Sequence, residues 1–89
     1  MARLLVFTPN AWADYTYWQT QDKKTLTRIN TLIAATAPEP STGLGKPEAL
    51  RGELSGYWSK RIDDVNRLVY QVTDDELIIF KCRYRKSDK

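Results

Sequence analysis

Histidine is absent from this sequence, and cysteine occurs once, at Cys82. Without imidazoles no Cys/His zinc site can be assembled, and a lone thiol forms no disulfide within the chain. A metal-independent chemistry without cofactors is therefore the expectation. No histidine is available to activate Cys82, which is expected to be a buried, inert thiol. No apolar run approaches about 18 residues, so no membrane-spanning helix is expected. The opening, MARLLVFTPN, has neither the apolar length of a secretory signal nor a small-residue cleavage site after it, which points to a cytoplasmic protein. An excess of one charge sign is also nearly lacking. Fourteen Lys and Arg stand against 11 Asp and Glu, and a net charge of +3 is by itself a weak pointer to nucleic acid.

Distribution is more informative than the total. From Lys46 onward there are ten basic and eight acidic residues, but five of those acids fall in two short runs, Asp63-Asp64 and Asp74-Asp75-Glu76. Read as turns, these runs leave the strands between them strongly basic. Between Gly45 and Arg67 the carboxylate of Glu48 lies among Lys46, Arg51, Lys60, Arg61 and Arg67, with Tyr57 and Trp58 interspersed. Cations and aromatic faces around one base suit a polyanion that carries bases, namely RNA. The plain alternative for Glu48 is a loop salt bridge.

A chain of 89 residues suits one domain, spanning 1–89, with a single core. Ala2 to Thr8 is aliphatic and β-branched and reads as a first strand. Thr8-Pro9 then reads as an N-cap followed by proline at the first helical position. Trp12, Tyr15 and Trp18 draw an aromatic stripe assigned to the core. Asp22 is a second N-cap candidate, and Leu26, Ile29, Leu32 and Ile33 follow at helical spacing. Lys23, Lys24 and Arg28 lie mostly off that stripe, as a solvated face does. Pro38 ends the second helix, and APEPSTGLG at 37–45 reads as a connecting loop.

Beyond the loop the period changes to two. Tyr57 to Asp63, Arg67 to Val72 and Leu77 to Tyr84 read as a three-stranded antiparallel meander, giving an α+β fold. Alternation puts Leu68, Tyr70 and Val72 on one face and Arg67, Val69 and Gln71 on the other. In the last strand it groups Ile78, Phe80, Cys82 and Tyr84 against Lys81, Arg83 and Arg85. One sheet face should pack on the helices and the other should be cationic.

AWADYTYWQ, RINTLI, GLGKPEALRGELSGYWSKRI, NRLVYQVTDDELI and CRY occur in this order over nearly the full length. In these segments the chain resembles the YoeB/Txe toxins of bacterial toxin–antitoxin modules, within the RelE superfamily of ribosome-dependent endoribonucleases. The resemblance implies a small microbial-ribonuclease-like sheet packed by two helices. It also implies cleavage of messenger in the ribosomal decoding site, and control by a YefM/Phd-like antitoxin. Ribosome, mRNA and antitoxin are thus the expected partners, with homodimer formation a further expectation. By the same resemblance Glu48 is the general base, Arg67 steadies the scissile phosphate, and Arg51 and Arg61 are the accompanying basic residues.

The sequence leaves that pattern after Tyr84. The family usually closes with Tyr-His-Tyr, the histidine serving as general acid, whereas Tyr84 here is followed by Arg85 and Lys86. Metal-free ribonuclease chemistry needs a base for the ribose 2′-OH, cations over the phosphate oxygens, and stabilisation of the departing 5′-oxygen. Glu48, Arg67 with Arg61, and Arg85 or Lys86 can fill these roles in turn. Lys46, Arg51, Lys60, Arg61, Tyr84 and Lys86 are the candidates for RNA and phosphate contact. Tyr57, Trp58 and Tyr84 can each stack on a base, with core packing as the competing use. The Arg85-Lys86 ending also supports a second reading, a catalytically silent protein that binds the ribosome, RNA or an antitoxin.

Overall fold

The computed structural model describes residues 3–84; Arg85 and Lys86, and the start of the first expected strand at Ala2, lie outside the described residues. The element order is β1 (Leu4–Phe7), α1 (Pro9–Gln21), α2 (Lys23–Thr36), β2 (Glu48–Ala49), a 3-10 turn (Gly52–Leu54), β3 (Trp58–Arg61), β4 (Arg67–Val72) and β5 (Glu76–Lys81). The α+β fold and the two helices follow the sequence reading. The sheet is larger than the meander, with five strands in the order β1-β5-β4-β3-β2 and β1 parallel to β5.

Local chemistry sets the helix ends. Thr8 Oγ1 accepts from the Ala11 backbone N–H at 3.1 Å and donates to the Phe80 carbonyl at 3.1 Å, capping α1 while tying it to β5. Asp22 serves two helices. Its backbone N–H donates to the Trp18 carbonyl at the end of α1. Its carboxylate accepts from the backbone N–H groups of Lys24 and Thr25 at the start of α2. Those hydrogen bonds, Thr25's first among them, hold the Asp22 carboxyl below the ordinary range.

The buried apolar side chains form one cluster between the helices and one sheet face: Ala11, Trp18, Ile29 and Leu32 meet Ile62, Leu68, Tyr70, Leu77, Ile79 and Cys82. Burying an Ile or Leu fully, as at Ile29 and Leu32, contributes about 1.5–3 kcal/mol each. Trp12 departs from the expected stripe, being 53% exposed, stacked on Tyr15 and edge-on to Phe7. A spacing of three falls short of a helical turn by about 60° per step, so Trp12 is about 120° around the helix from Trp18.

The faces of β5 also differ from simple alternation. Tyr70 is opposite Ile79, but Val69 is opposite Lys81, so a bulge leaves Phe80 as the extra residue. Leu77 and Ile79 are therefore the residues that face the helices. Ile78 and Phe80 are half-buried on the other face, where Phe80 meets Tyr57 at 5.2 Å between ring centroids. Beyond the bulge the parity has changed, which returns Cys82 to the core as expected. Burial pushes its thiol up to about 12, well away from a reactive thiolate.

Candidate active site

The sheet face away from the helices carries the functional candidates. Strand register places Glu48, Ser59, Val69 and Lys81 in one row across β2, β3, β4 and β5, with Arg61 and Arg67 paired in the next row. Arg67 reaches diagonally across β3. Its Nη1 donates to Ser59 Oγ at 3.2 Å and lies 3.6 Å from Glu48 Oε1. Ser59 is fully buried beneath this crossing, and its small hydroxyl leaves room for the guanidinium to pass from β4 toward β2.

The position of Glu48 depends on the turn before it. Gly45 has φ +95° and sits so close to the sheet that a Cβ there would lie 2.7 Å from Leu32 Cδ2 and 3.0 Å from Lys60 Cβ. Its carbonyl accepts from the Arg61 backbone N–H at 2.7 Å, fixing the start of the GKPE segment against β3. Lys46 is also left-handed, with φ 52°, and its side chain is exposed. Lys46 and Arg61 line one cleft of about 320 Å³ together with Arg28, Leu44 and Asp63. Arg61 pairs with Asp64 at 2.6 Å. An ion pair this exposed contributes about 0–1 kcal/mol. Arg51 is exposed just beyond β2, at the head of the 3-10 turn.

Lys60 is not on this face. It pairs with Leu68 on the helix side, is fully buried, and its Nζ has no hydrogen-bond partner among the described residues. Burial lowers its pKa, with Glu39 opposing that shift. Strand parity explains the placement, since Lys60 lies between Ser59 and Arg61 and must point the other way. Trp58 shares the helix side, packed against the core opposite Tyr70, whereas Tyr57 remains on the site face against Phe80.

The main chain of Tyr84 adjoins Arg67. The residue is 40% exposed, and its carbonyl accepts from the Arg67 backbone N–H at 3.0 Å. The Arg83 guanidinium covers the Tyr17 ring at 3.6 Å and donates to the Tyr84 hydroxyl at 2.7 Å. Glu48, Ser59, Arg61 and Arg67 thus gather at one end of one face, with the Tyr84 main chain beside Arg67 and the Tyr84 ring beside Arg83, which lies over Tyr17 of α1. Among the described residues, no group of three His, Cys, Asp or Glu side chains is placed to hold a metal ion. Ser59 escaped the sequence reading although its parity, shared with Arg61, was a usable signal.

A carboxylate held beside a guanidinium on an open cationic sheet face can take a proton from a hydroxyl while the cation neutralises an adjacent phosphate. Residues 7–86 match the family model described as the YoeB-like toxin of bacterial type II toxin-antitoxin system. The chain belongs to this family. A YoeB toxin of Streptomyces coelicolor is 55% identical over 80 residues, covering 90% of this chain and 95% of that one. Among solved structures, the YoeB dimer from Staphylococcus aureus is 40% identical with a TM-score of 0.87, covering 93% of this chain and 97% of the other. The YoeB-YefM complex from the same organism is 42% identical with a TM-score of 0.86, covering 94% and 99%. The fold and the order of elements are therefore those of YoeB-like toxins, and the GKPE segment carrying Glu48 and the RLVY segment carrying Arg67 lie within the matched residues.

Proposed function

We propose that this YoeB-like chain is a metal-independent endoribonuclease that cleaves messenger RNA in the ribosomal decoding site and so stops translation. The observation that carries the reading is the approach of Arg67 Nη1 to Glu48 Oε1, at 3.6 Å, on an open face. Glu48 takes the proton of a ribose 2′-OH, whose oxygen attacks the adjacent phosphorus; a 2′,3′-cyclic phosphate forms as the bond to the 5′-oxygen breaks, and that oxygen leaves as an alkoxide that takes a proton from solvent water. Arg67, with Arg61, neutralises the nonbridging oxygens as charge builds on them. Tyr84, Lys46 and Arg51 contact RNA around the cleaved bond. Arg85 and Lys86 are assigned to the leaving oxygen, which an arginine stabilises electrostatically better than it protonates. A YefM-like antitoxin neutralises the toxin in the cytoplasm, in keeping with the solved YoeB-YefM complex.

The test is to map RNA 3′ ends in a purified translation system containing this protein. We expect cuts within ribosome-covered codons, and a loss on the order of 10²–10⁴-fold in the cleavage rate for Glu48→Gln with ribosome binding nearly unchanged. Equal cleavage by Glu48→Gln removes Glu48 from the mechanism. Intact messenger on stalled ribosomes would instead favour the silent binder to which the Arg85-Lys86 ending also points.

A further inference from the structure

Asn66 was not among the sequence candidates, yet it is the joint between the two segments that frame the site. It is buried at the end of the β3–β4 turn, directly before Arg67. Its Nδ2 donates to both carboxylate oxygens of Asp63, at 3.2 and 3.1 Å. Asp63 Oδ1 in turn accepts from the backbone N–H groups of Val65 and Asn66, at 2.8 and 2.7 Å. The carboxamide is thereby held in one orientation, with its oxygen directed at the chain after β5. There Asn66 Oδ1 accepts from the Tyr84 backbone N–H at 2.6 Å. The adjacent Arg67 N–H donates to the Tyr84 carbonyl at 3.0 Å. Residue 84 therefore has both its N–H and its C=O bound by two consecutive residues of the other segment.

The conformation of Tyr84 calls for such a hold. Its φ of 66° is left-handed, a region sparsely populated by residues with a β-carbon. Cys82, two residues earlier, is fixed independently: Asp14 accepts from its N–H at 3.1 Å and Trp18 Nε1 donates to its carbonyl at 2.9 Å. Helix α1 thus anchors the approach, and the Asp63-Asn66 pair, with the Arg67 N–H, fixes the main chain of residue 84 beside Arg67.

We propose that Asn66 is a positioning residue for RNA cleavage: its carboxamide, oriented by Asp63, fixes the Tyr84 main chain beside Arg67 so that ring and guanidinium meet the substrate in one geometry. This rests on the RNA-cleavage reading above. Asn66 itself touches no reacting atom.

The experiment compares the parent, Asn66→Asp, and the exchanged pair Asp63→Asn with Asn66→Asp. The single variant retains an acceptor for Tyr84 but sets two carboxylates against each other and loses the donor between them. The exchanged pair restores one donor facing one carboxylate, with the Asx turn and the Tyr84 acceptor both retained. Amide hydrogen exchange at Tyr84, read against the core amide of Tyr70, reports the clamp without reference to activity. Single-turnover cleavage on ribosomes and ribosome affinity report its use. We expect faster Tyr84 exchange and a cleavage rate lower by about 10- to 100-fold in Asn66→Asp, the range a misplacement of about 1 Å produces. Affinity should hold within about threefold, since the phosphate-binding cations remain. Both losses should be largely reversed in the exchanged pair. Unchanged exchange at Tyr84, or faster exchange with unaltered cleavage, overturns the proposal, as does loss of core protection in all variants alike. A parent that leaves messenger intact overturns the cleavage reading, and is told apart from a failed clamp by the exchange data.

Discussion

At the scale of single residues, Ser59 shows how much of this site depends on a side chain with no chemistry of its own. It is the floor over which Arg67 crosses to Glu48. Removing its hydroxyl deletes one hydrogen bond to a charged group, worth about 1.5–3 kcal/mol at a buried position and less where the guanidinium keeps other partners. Ser59→Ala should therefore slow cleavage by about tenfold and lower the melting temperature by several degrees, whereas Ser59→Leu should fill the crossing and abolish cleavage. Full activity in Ser59→Leu would show that the guanidinium does not need this path. Most residues of the site were legible in the sequence as a cluster of charge around Glu48, but charge alone did not separate Lys60 from its neighbours. Parity does, because Ser59 and Arg61 face the side of the sheet away from the helices and Lys60 must face the helices.

At the scale of elements, β2 is two residues long and its place is set by the glycine before it. Gly45→Ala would bring a methyl group to 2.7 Å from Leu32 and impose a β-carbon on a φ of +95°. We expect a destabilisation of about 2–4 kcal/mol, combining backbone strain with overpacking, and a larger fall in activity than in stability because Glu48 follows three residues later. Urea unfolding and single-turnover cleavage measured together decide this; a loss of stability with undiminished cleavage would detach the turn from the site. Thr8, Asp22 and Pro38 marked the helix ends because each carries a specific hydrogen-bonding or steric signal. The limits of β4 were also legible, from its alternation. The two-residue β2 is too short to show a period, and the bulge at Phe80 reverses the parity of β5 without any glycine or proline to announce it. The pairing of β1 with β5 has no local signal either, since periodicity describes a strand and not its neighbour.

At the scale of the whole molecule, one buried cluster joins the helices to the sheet, and a thiol in it couples stability to alkaline pH. Burial, aided by Asp14, raises Cys82 from an ordinary 9.0 to about 12. A folded value above the unfolded one means that the stabilisation is fully present below pH 9 and is lost as pH rises toward 12. Each pH unit in that window removes up to about 1.4 kcal/mol. Cys82→Ala should be somewhat less stable at pH 7 yet show a flatter decline above pH 9, measured as the difference between the two urea-unfolding curves. Parallel declines would show that the thiol does not titrate on unfolding. Tyr70, also raised by burial, adds a loss of the same sign in both proteins, so the difference isolates the cysteine.

The parallel pairing of β1 and β5 also has a mechanical consequence. Leu4 starts β1 at the same end of the sheet where Glu76 starts β5, so the chain enters the fold at one end of this pair and leaves β5 at the other. Force applied between residues 3 and 84 would pull the two strands past each other along their length. The bonds from Leu4 to Asp75 and from Thr8 to Ile79, and those between them, would then bear the load together and rupture in shear. An antiparallel pair held at the same points would open one bond at a time. A machine that unfolds this protein from the end beyond β5 meets that shear-loaded ladder before it reaches the helices.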